Sequence, residues 1–204
     1  MNISHTGHGF INHFISALAL LGLFISAAAL AIPASPKLST PVVIPYCIDP
    51  NWLPYEAIIN GKHVGISADY LQLVAHKTGY KFELVVTDDW PQTLAYLQQG
   101  KCGMTPFLNK TSDRERFLLF SDIYFEAPNV LVSLKSQPFL QGFENIGDRS
   151  LAIPAGYQLV EYVQRHYPQV KLILVDNEKE GLERVAQGDV DVFVGSMLSV
   201  NTYI

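Results

Sequence analysis

Beyond residue 40, short apolar runs alternate with segments in which apolar residues recur every three or four positions. The apolar runs predict strands at residues 42–48, 82–86, 102–108, 129–134, 150–155, 171–175 and 190–195. Periodic segments between several of these runs predict single helices. Asp89 with Gln92, and Asn177 with Glu180, match capping boxes, and Ser67 is predicted to cap the first helix. Strands separated by single helices are typical of parallel βαβ units, so the pattern predicts an α/β fold built from two groups of such units.

The N-terminus has a different composition. Residues 1–32 contain no Asp, Glu, Lys or Arg, and Ala29-Leu30-Ala31 forms an A-x-A cleavage pattern at the end of an apolar run. We therefore predict a secretory signal peptide over residues 1–31 and a linker over residues 32–40. An uncleaved membrane anchor is the alternative, since about 20 apolar residues can span a bilayer. Either interpretation predicts that the rest of the chain is periplasmic, attached to the membrane only if residues 1–31 remain uncleaved.

Composition and motifs exclude several classes of protein. The 204 residues carry a formal net charge of -5, and Lys and Arg are scattered singly, which argues against nucleic acid as a partner. The sequence contains no Walker A loop and no G-x-S-x-G, H-E-x-x-H or C-x-x-C motif. The three histidines after residue 40 are predicted to be solvated surface residues: His63, His76 and His166. The sequence therefore predicts no catalytic residue, no metal ligand and no cofactor.

Candidate binding residues follow the predicted strands, because ligands of open α/β sheets bind beyond the carboxyl ends of the strands. These positions combine aromatic rings, one Arg that can hold a carboxylate with two hydrogen bonds, hydroxyls and helix-start amides. Such residues suit a small polar molecule with an anionic group. The candidate ligand-binding residues are Asp49, Trp52, Trp90, Asn109, Arg114, Gly156, Tyr157, Gln158 and Ser196.

At these residues the chain resembles bacterial solute-binding proteins of family 3, the amino-acid-type periplasmic binding proteins of the type 2 fold. It is similar to the versions that serve as sensor modules of membrane histidine kinases and diguanylate cyclases. The resemblance covers the chain from about residue 40 to its end. It rests on Asp49-x-x-Trp52-x-Pro54-Tyr55, Gly61-Lys62-His63-x-Gly65-Ile66-x-x-Asp69-Tyr70-Leu71, Trp90, Gly100-x-Cys102 and Thr111-x-x-Arg114-x-x-x-Leu118-x-Phe120-Ser121-Asp122-x-Tyr124.

The resemblance implies a two-lobed clamshell, with lobe 1 at residues 41–133 and lobe 2 at residues 134–204. Arg114 would hold a ligand carboxylate between Trp52 and Trp90. Relative to the family pattern, the return strand and closing helices of lobe 1 are missing, so we expect lobe 2 and the closing segment of lobe 1 to be incomplete. Three departures disfavour an ordinary α-amino acid as ligand: Gly103, Phe107, and Ser196, which stands where an acid often holds the amino group.

The resemblance implies extracytoplasmic binding of a small polar solute, amino-acid-like or carboxylate-bearing. The expected role is uptake through an ABC permease, as in amino acid transport, or signal transduction through a sensor kinase or cyclase. A dehydratase- or lytic-type enzyme on the same fold is an alternative, with Asp49 and either Glu56 or Asp88 as an acid–base pair. A truncated remnant that binds nothing is a further alternative.

The two cysteines are placed by the same resemblance. Cys47 would lie near the end of the first strand, and Cys102 would open the third, a parallel neighbour. Opposite ends of such strands are ~13–17 Å apart at ~3.3 Å per residue, whereas a disulfide needs Cα atoms within ~7 Å. We therefore expect the cysteines not to be joined, although an oxidising compartment would permit a bond.

Overall fold

The computed structural model describes residues 42–204. The predicted signal peptide or anchor at residues 1–31 and the linker at residues 32–40 lie outside the described residues. Within residues 42–204, no helix is both long and apolar enough to cross a membrane.

The first group of elements is built on two parallel strands. β1 (Val43–Tyr46) pairs with β5 (Lys81–Leu84). Along the chain, α1 (Ile66–Thr78) precedes β5 and α2 (Trp90–Gln98) follows it. The strand predicted at residues 102–108 is reduced to a single parallel bridge between Tyr46 and Met104. The backbone bends at residues 101–103, and Pro106 has no amide hydrogen to donate to a neighbouring strand.

A small antiparallel sheet lies in a segment for which the sequence pattern predicted no strand. It consists of β2 (Asn51–Trp52), β3 (Glu56–Ile59) and β4 (Lys62–Val64), in the order β2-β3-β4. The turn between β3 and β4 is Asn60-Gly61, with φ values of 52° and 72°. Asn-Gly is the preferred pair where both central residues of a hairpin turn need positive φ, so this hairpin had a local sequence signal.

The second group forms a four-stranded mixed sheet in the order β6-β9-β7-β8. Its strands are β6 (Asn129–Ser133), β7 (Ser150–Pro154), β8 (Lys171–Val175) and β9 (Val192–Ser196). β7 runs parallel to β8 and β9, whereas β6 is antiparallel to β9. β6 therefore belongs to the second sheet, although the sequence had placed residues up to 133 in lobe 1. From here on, the first lobe means residues 42–128 and the second lobe means residues 129–204.

Helices cover both faces of the second sheet: α3 (Gln158–His166), α4 (Glu178–Gln187) and α5 (Met197–Tyr203). On β7, Leu151 and Ile153 pack into one core cluster, while Ala152 between them packs into the other. A strand buried on both faces explains the continuous apolar run in this part of the sequence. Gly181 lets α4 lie close to the sheet, because a Cβ at this position would clash with the Phe193 ring.

Both predicted capping boxes are confirmed at the first residue of each pair. The Asp89 side chain accepts a hydrogen bond from the Gln92 amide at 2.7 Å, and Asn177 accepts one from the Glu180 amide at 3.0 Å. The predicted cap at Ser67 is wrong, because Gly65 precedes the helix and Ser67 lies inside it, fully buried. The Ser67 hydroxyl instead donates to a buried carboxylate, that of Glu56.

Cys47 and Cys102 form a disulfide, with their Cα atoms 5.8 Å apart, so the expectation that they would lie too far apart is wrong. The error came from treating Cys102 as the first residue of a regular strand. It lies instead in the bend before Met104, where its amide donates to the Tyr96 carbonyl at the end of α2. Both cysteines are buried, in a cluster with Leu97.

The closing part of the first lobe has little regular structure. Residues 104–128 contain one short 3-10 turn, Arg114–Arg116, and leave Leu119 and Ile123 largely exposed. A groove of about 960 Å³ runs beside them. Among residues 42–204, no strand or helix after Ser133 returns to the first sheet.

Candidate functional site

A cavity of about 50 Å³ lies between the two lobes, at the carboxyl ends of the parallel strands. Eight of the nine predicted site residues line it: Asp49, Trp52, Trp90, Asn109, Arg114, Tyr157, Gln158 and Ser196. The ninth, Gly156, contacts Trp90 and Arg114 directly through its carbonyl oxygen. The structure therefore brings all nine positions together in one cleft. Phe107 also lines the cavity, whereas Gly103 lines the larger groove.

Arg114 is 7% exposed and begins the 3-10 turn of the first lobe. Its Nη1 donates to the Asn109 carbonyl at 2.8 Å, and its Nη2 donates across the cleft to the Gly156 carbonyl at 3.0 Å. The guanidinium carbon lies 5.8 Å from the centre of the Trp90 ring. Burial lowers the pKa of Arg114 from its ordinary value. Within the described residues, no carboxylate lies within ion-pair distance of this guanidinium.

The two lobes contact each other at Gly156 of the second lobe. Its carbonyl accepts from both Arg114 and Trp90, the latter through Nε1 at 3.2 Å. The residue has a φ of +79°, and a Cβ there would lie 3.1 Å from Leu94 and 3.2 Å from the Trp90 ring. Glycine is therefore required both for the backbone conformation and for the close approach of α2.

Trp52 makes the second contact across the cleft. Its ring stacks on Tyr55 with centroids 4.4 Å apart. Its Nε1 donates to Ser196 Oγ at 3.1 Å and to Glu178 Oε1 at 3.2 Å. The indole therefore joins the small sheet of the first lobe to the ends of two strands of the second.

Glu178 does not line the cavity, but it is hydrogen-bonded to two residues that do, Trp52 and Ser196, and the sequence analysis missed it. It is the first residue of α4 and is completely buried. Its Oε1 accepts from the amide and the hydroxyl of Ser196, both at 3.1 Å, while its Oε2 has no hydrogen-bond partner. Burial raises the pKa of Glu178 to about 7, opposed by the hydrogen bonds from the Ser196 amide and hydroxyl. The Ser199 hydroxyl itself donates to the Leu53 carbonyl. Glu178 also follows a predicted strand end, which is how the other candidates were chosen. The sequence analysis assigned this segment only to the capping box of Asn177 and Glu180, so it did not consider Glu178.

Two carboxyl groups line the cavity, both from the first lobe. Asp49 accepts a hydrogen bond from the Tyr157 hydroxyl across the cleft at 2.9 Å, and burial raises its pKa to about 6. Glu56 accepts from the Asp49 amide at 2.9 Å and from the Ser67 hydroxyl at 2.7 Å. Burial raises the pKa of Glu56 to about 8. Asp88, the other acid considered in the sequence analysis, is exposed and bonded to Gln92.

His63 is half-buried and not a solvated surface residue, so that expectation is wrong. Its Nε2 lies 2.6 Å from Ser67 Oγ, and its Nδ1 lies 3.2 Å from the Tyr46 hydroxyl. Because Ser67 donates to Glu56, its oxygen accepts from His63 Nε2, which leaves Nδ1 to accept from Tyr46. Burial lowers the pKa of His63 to about 4, so this imidazole is neutral at physiological pH. In the part of the chain that the structure describes, no cluster of three or more His, Cys, Asp or Glu could hold a metal ion.

The fold and the cleft geometry agree with a match between residues 44–180 and the family model of the bacterial extracellular solute-binding proteins, family 3. The chain belongs to this family. Arg114, Trp52 and Trp90 all lie within the matched residues, as do the other first-lobe residues of the cleft.

Known proteins resemble this chain in both sequence and fold. The virulence sensor protein BvgS of Bordetella pertussis is 32% identical over 140 residues, which cover 69% of this chain and 11% of BvgS. The chain therefore spans about a tenth of the length of that sensor. The crystal structure of the BvgS periplasmic VFT2 domain superposes with a TM-score of 0.69 at 29% identity, covering 79% of this chain and 69% of the domain.

A second solved structure, an ancestral arginine-binding protein bound to arginine, superposes with a TM-score of 0.71 at 25% identity. It covers 79% of this chain and 73% of the other. The Venus-flytrap architecture of two α/β lobes around a cleft is therefore the architecture of this family 3 chain.

Proposed function

We propose that this family 3 chain binds a small polar solute, amino-acid-like or carboxylate-bearing, in the cleft around Arg114. The observation that carries the proposal is the buried guanidinium, which lies on the cavity wall and donates only to main-chain carbonyls among residues 42–204. A guanidinium has five N–H donors in a planar fork that matches a carboxylate. Two donors are used here, so others remain for a ligand.

Binding requires the cleft to widen. The cavity of about 50 Å³ is far below the ~300–1,000 Å³ of ordinary ligand pockets. A ligand that reaches Arg114 must therefore separate the lobes, exchanging some of their mutual hydrogen bonds for bonds to itself. Relative motion of the two lobes would then report occupancy to a partner.

The setting that we propose is the periplasm, with residues 1–31 as a signal peptide or an anchor. A role in transmembrane signalling is favoured by the similarity to the BvgS sensor and its periplasmic domain. The partner would then be a sensor kinase or cyclase. An ABC permease is the alternative partner, in which case the solute is delivered for uptake.

The experiment is a thermal-shift screen of the full chain against amino acids, short carboxylates and amines, followed by calorimetric titration of each hit. We expect a carboxylate-bearing compound to raise the melting temperature. Arg114→Ala should weaken its binding by about 2–4 kcal/mol, because a desolvated charged hydrogen bond is lost. The matched control is Arg116→Ala, since Arg116 lies in the same turn but is exposed in a surface ion pair with Asp113. Equal affinity in wild type and Arg114→Ala would contradict the assignment.

A dehydratase-type activity is the second candidate, favoured by the pKa values of the two cavity carboxyls. Asp49 and Glu56 have pKa values of about 6 and about 8, a range suited to general acid–base catalysis near neutral pH. Incubating each compound that binds with the chain and analysing the products tests this. Turnover abolished by Asp49→Asn would support it, and recovery of unchanged ligand would exclude it.

A further inference from the structure

The two lobes are also joined at a point outside the cavity. The Ser199 hydroxyl of α5 donates a 2.6 Å hydrogen bond to the Leu53 carbonyl, which lies between β2 and β3 of the first lobe. Ser199 is fully buried, and neither residue lines the cavity. A molecule held in the cavity would therefore touch neither member of this bond.

The first-lobe side of this bond is fixed to α1. The two carbonyls that follow Leu53 accept hydrogen bonds from the first two amides of α1, at 3.0 and 2.9 Å. Gly65, just before α1, lies so close to this segment that an added Cβ would come within 2.7 Å of the Tyr55 carbonyl oxygen. Because residues 53–55 are held in this way, they cannot follow the second lobe when the lobes separate. Separation of the lobes would therefore break the bond between Ser199 and Leu53.

The same two segments also meet inside the cleft. Trp52, the residue before Leu53, donates through Nε1 to Ser196 Oγ at 3.1 Å, and Ser196 directly precedes α5. A ligand that pushes these segments apart at Trp52 must also separate Leu53 from Ser199. The outer bond is then lost on ligand entry, and because the ligand does not reach it, no bond to the ligand replaces it.

Removing the Ser199 hydroxyl would destabilise the closed cleft more than the open one. In the closed cleft, an alanine at position 199 leaves the Leu53 carbonyl without its donor, whereas in the open cleft water can bond to that carbonyl. A protein whose binding-competent state is a minor population binds with an affinity reduced by that population. Weakening the closed state therefore strengthens binding.

We propose that Ser199 sets the affinity of the cleft from outside the cavity. Its bond to Leu53 holds the empty cleft closed and lowers the affinity for every ligand by the same factor. The effect on binding rests on the proposed function, because it concerns the ligand of the same cleft. The effect on closure is a property of the empty chain and can be measured without a ligand.

Tryptophan fluorescence measures closure in the ligand-free full chain. The chain contains two tryptophans, Trp52 and Trp90, and both line the cavity. We expect Ser199→Ala to shift their emission to longer wavelength and to increase its quenching by acrylamide, because an opened cleft admits water to both indoles. Thr202→Ala is the matched control, since Thr202 lies on the same helix but its hydroxyl donates within that helix, to the Leu198 carbonyl at 2.8 Å. This control should leave emission and quenching unchanged.

Isothermal titration with the standard L-amino acids, acetate and succinate measures the effect on affinity. For each compound that binds wild type, we expect Ser199→Ala to lower the dissociation constant on the order of 3–10-fold, the effect of one hydrogen bond. The factor should be the same for every compound. A hydroxyl that only supported the fold would give the opposite sign, because a partly unfolded chain binds more weakly. Thr202→Ala should leave each dissociation constant unchanged.

The outcomes distinguish this proposal from the proposed function. Unchanged tryptophan emission in Ser199→Ala would overturn the role of Ser199 and leave the proposed function standing. An affinity that is unchanged, weaker, or altered by a different factor for each compound would do the same. If no compound binds wild type, the proposed function fails, and the fluorescence comparison alone decides whether Ser199 holds the cleft closed.

Discussion

The Tyr157 hydroxyl of the second lobe donates a 2.9 Å hydrogen bond to the Asp49 carboxylate of the first. Burial raises the pKa values of both groups. Together with Trp52–Glu178 and Arg114–Gly156, this bond forms a set of direct polar contacts that hold the lobes against each other.

Removing that hydroxyl should weaken closure. In Tyr157→Phe the buried Asp49 oxygen loses its donor, and we expect unfolding to become easier by about 1–3 kcal/mol. Small-angle scattering should also detect a more open average shape. Urea unfolding measures the first effect, with Tyr80→Phe as control because Tyr80 is exposed. Equal losses in the two variants would mean that the contact contributes nothing across the cleft.

The buried acids predict that the chain becomes less stable as pH rises. Glu56 and Glu178 have folded-state pKa values of about 8 and about 7, above those of the unfolded chain. The folded state therefore binds more protons, and the stability that this gives is complete below about pH 4 and lost as pH rises through these folded values. Asp49 contributes in the same direction up to about pH 6.

His63 acts in the opposite direction, because its lowered pKa of about 4 favours the folded state as pH rises toward about 6.5. The effect of His63 therefore ends near pH 6.5, and the effect of the acids can be measured between pH 6.5 and 8. Over this range we expect the free energy of unfolding to fall by roughly 1–3 kcal/mol. The titratable groups that interact electrostatically with Glu178 are Asp49 and the hydroxyls of Tyr55, Tyr157 and Tyr203. Urea unfolding of wild type and Glu178→Gln at both pH values measures the slope. A slope as steep in the variant, or a rise with pH, would contradict this assignment.

The disulfide should make a large contribution to stability. Cys47 and Cys102 are 55 residues apart, and cross-linking a loop of that length stabilises a folded chain by about 4 kcal/mol in the loop-entropy model. We expect dithiothreitol to lower the melting temperature of wild type. The double variant Cys47→Ala/Cys102→Ala should melt lower and be unaffected by the reductant. A wild-type melting temperature that is insensitive to reduction would argue that the bond does not form in solution.

Gly156→Ala should impair binding more than folding. The added Cβ would meet Leu94 and Trp90 at a residue with φ of +79°, which displaces the carbonyl that Arg114 and Trp90 share. We expect any ligand found in the screen to bind at least several-fold more weakly. Gly147→Ala is the control, since Gly147 has φ of +67° but no atom within 4 Å of an added Cβ. Gly147→Ala therefore introduces backbone strain without a steric clash, and this strain should lower the free energy of unfolding by about 1 kcal/mol.

How well the sequence predicted each structural feature depends on how far apart the interacting residues are along the chain. The caps at Asp89 and Asn177 were predictable because they involve backbone only three residues away. The convergence of Trp52, Arg114 and Ser196 followed from two expectations, that ligands bind beyond the carboxyl ends of strands and that the two lobes face each other across a cleft. The disulfide did not follow, since it depends on a bend at residues 101–103 that no periodicity indicates. β6 was placed in the wrong lobe because an apolar run specifies a strand but not its partner.

Glu178 and His63 show a different limit. In sequence, both are polar residues at the edges of regular elements, which is typical of solvated side chains. Their burial arises from distant partners, Trp52 for Glu178 and Tyr46 for His63. Sequence spacing carries no information about such contacts until the fold brings the elements together.

The shared carbonyl of Gly156 has a consequence for any affinity measured on this chain. A ligand that separates the lobes to reach Arg114 breaks the bonds from both Arg114 and Trp90 to this carbonyl. The measured affinity is then the difference between the bonds made to the ligand and the bonds lost between the lobes. Weak measured binding would then be compatible with strong individual contacts. A substitution that loosens the empty cleft could tighten binding without touching the guest at all.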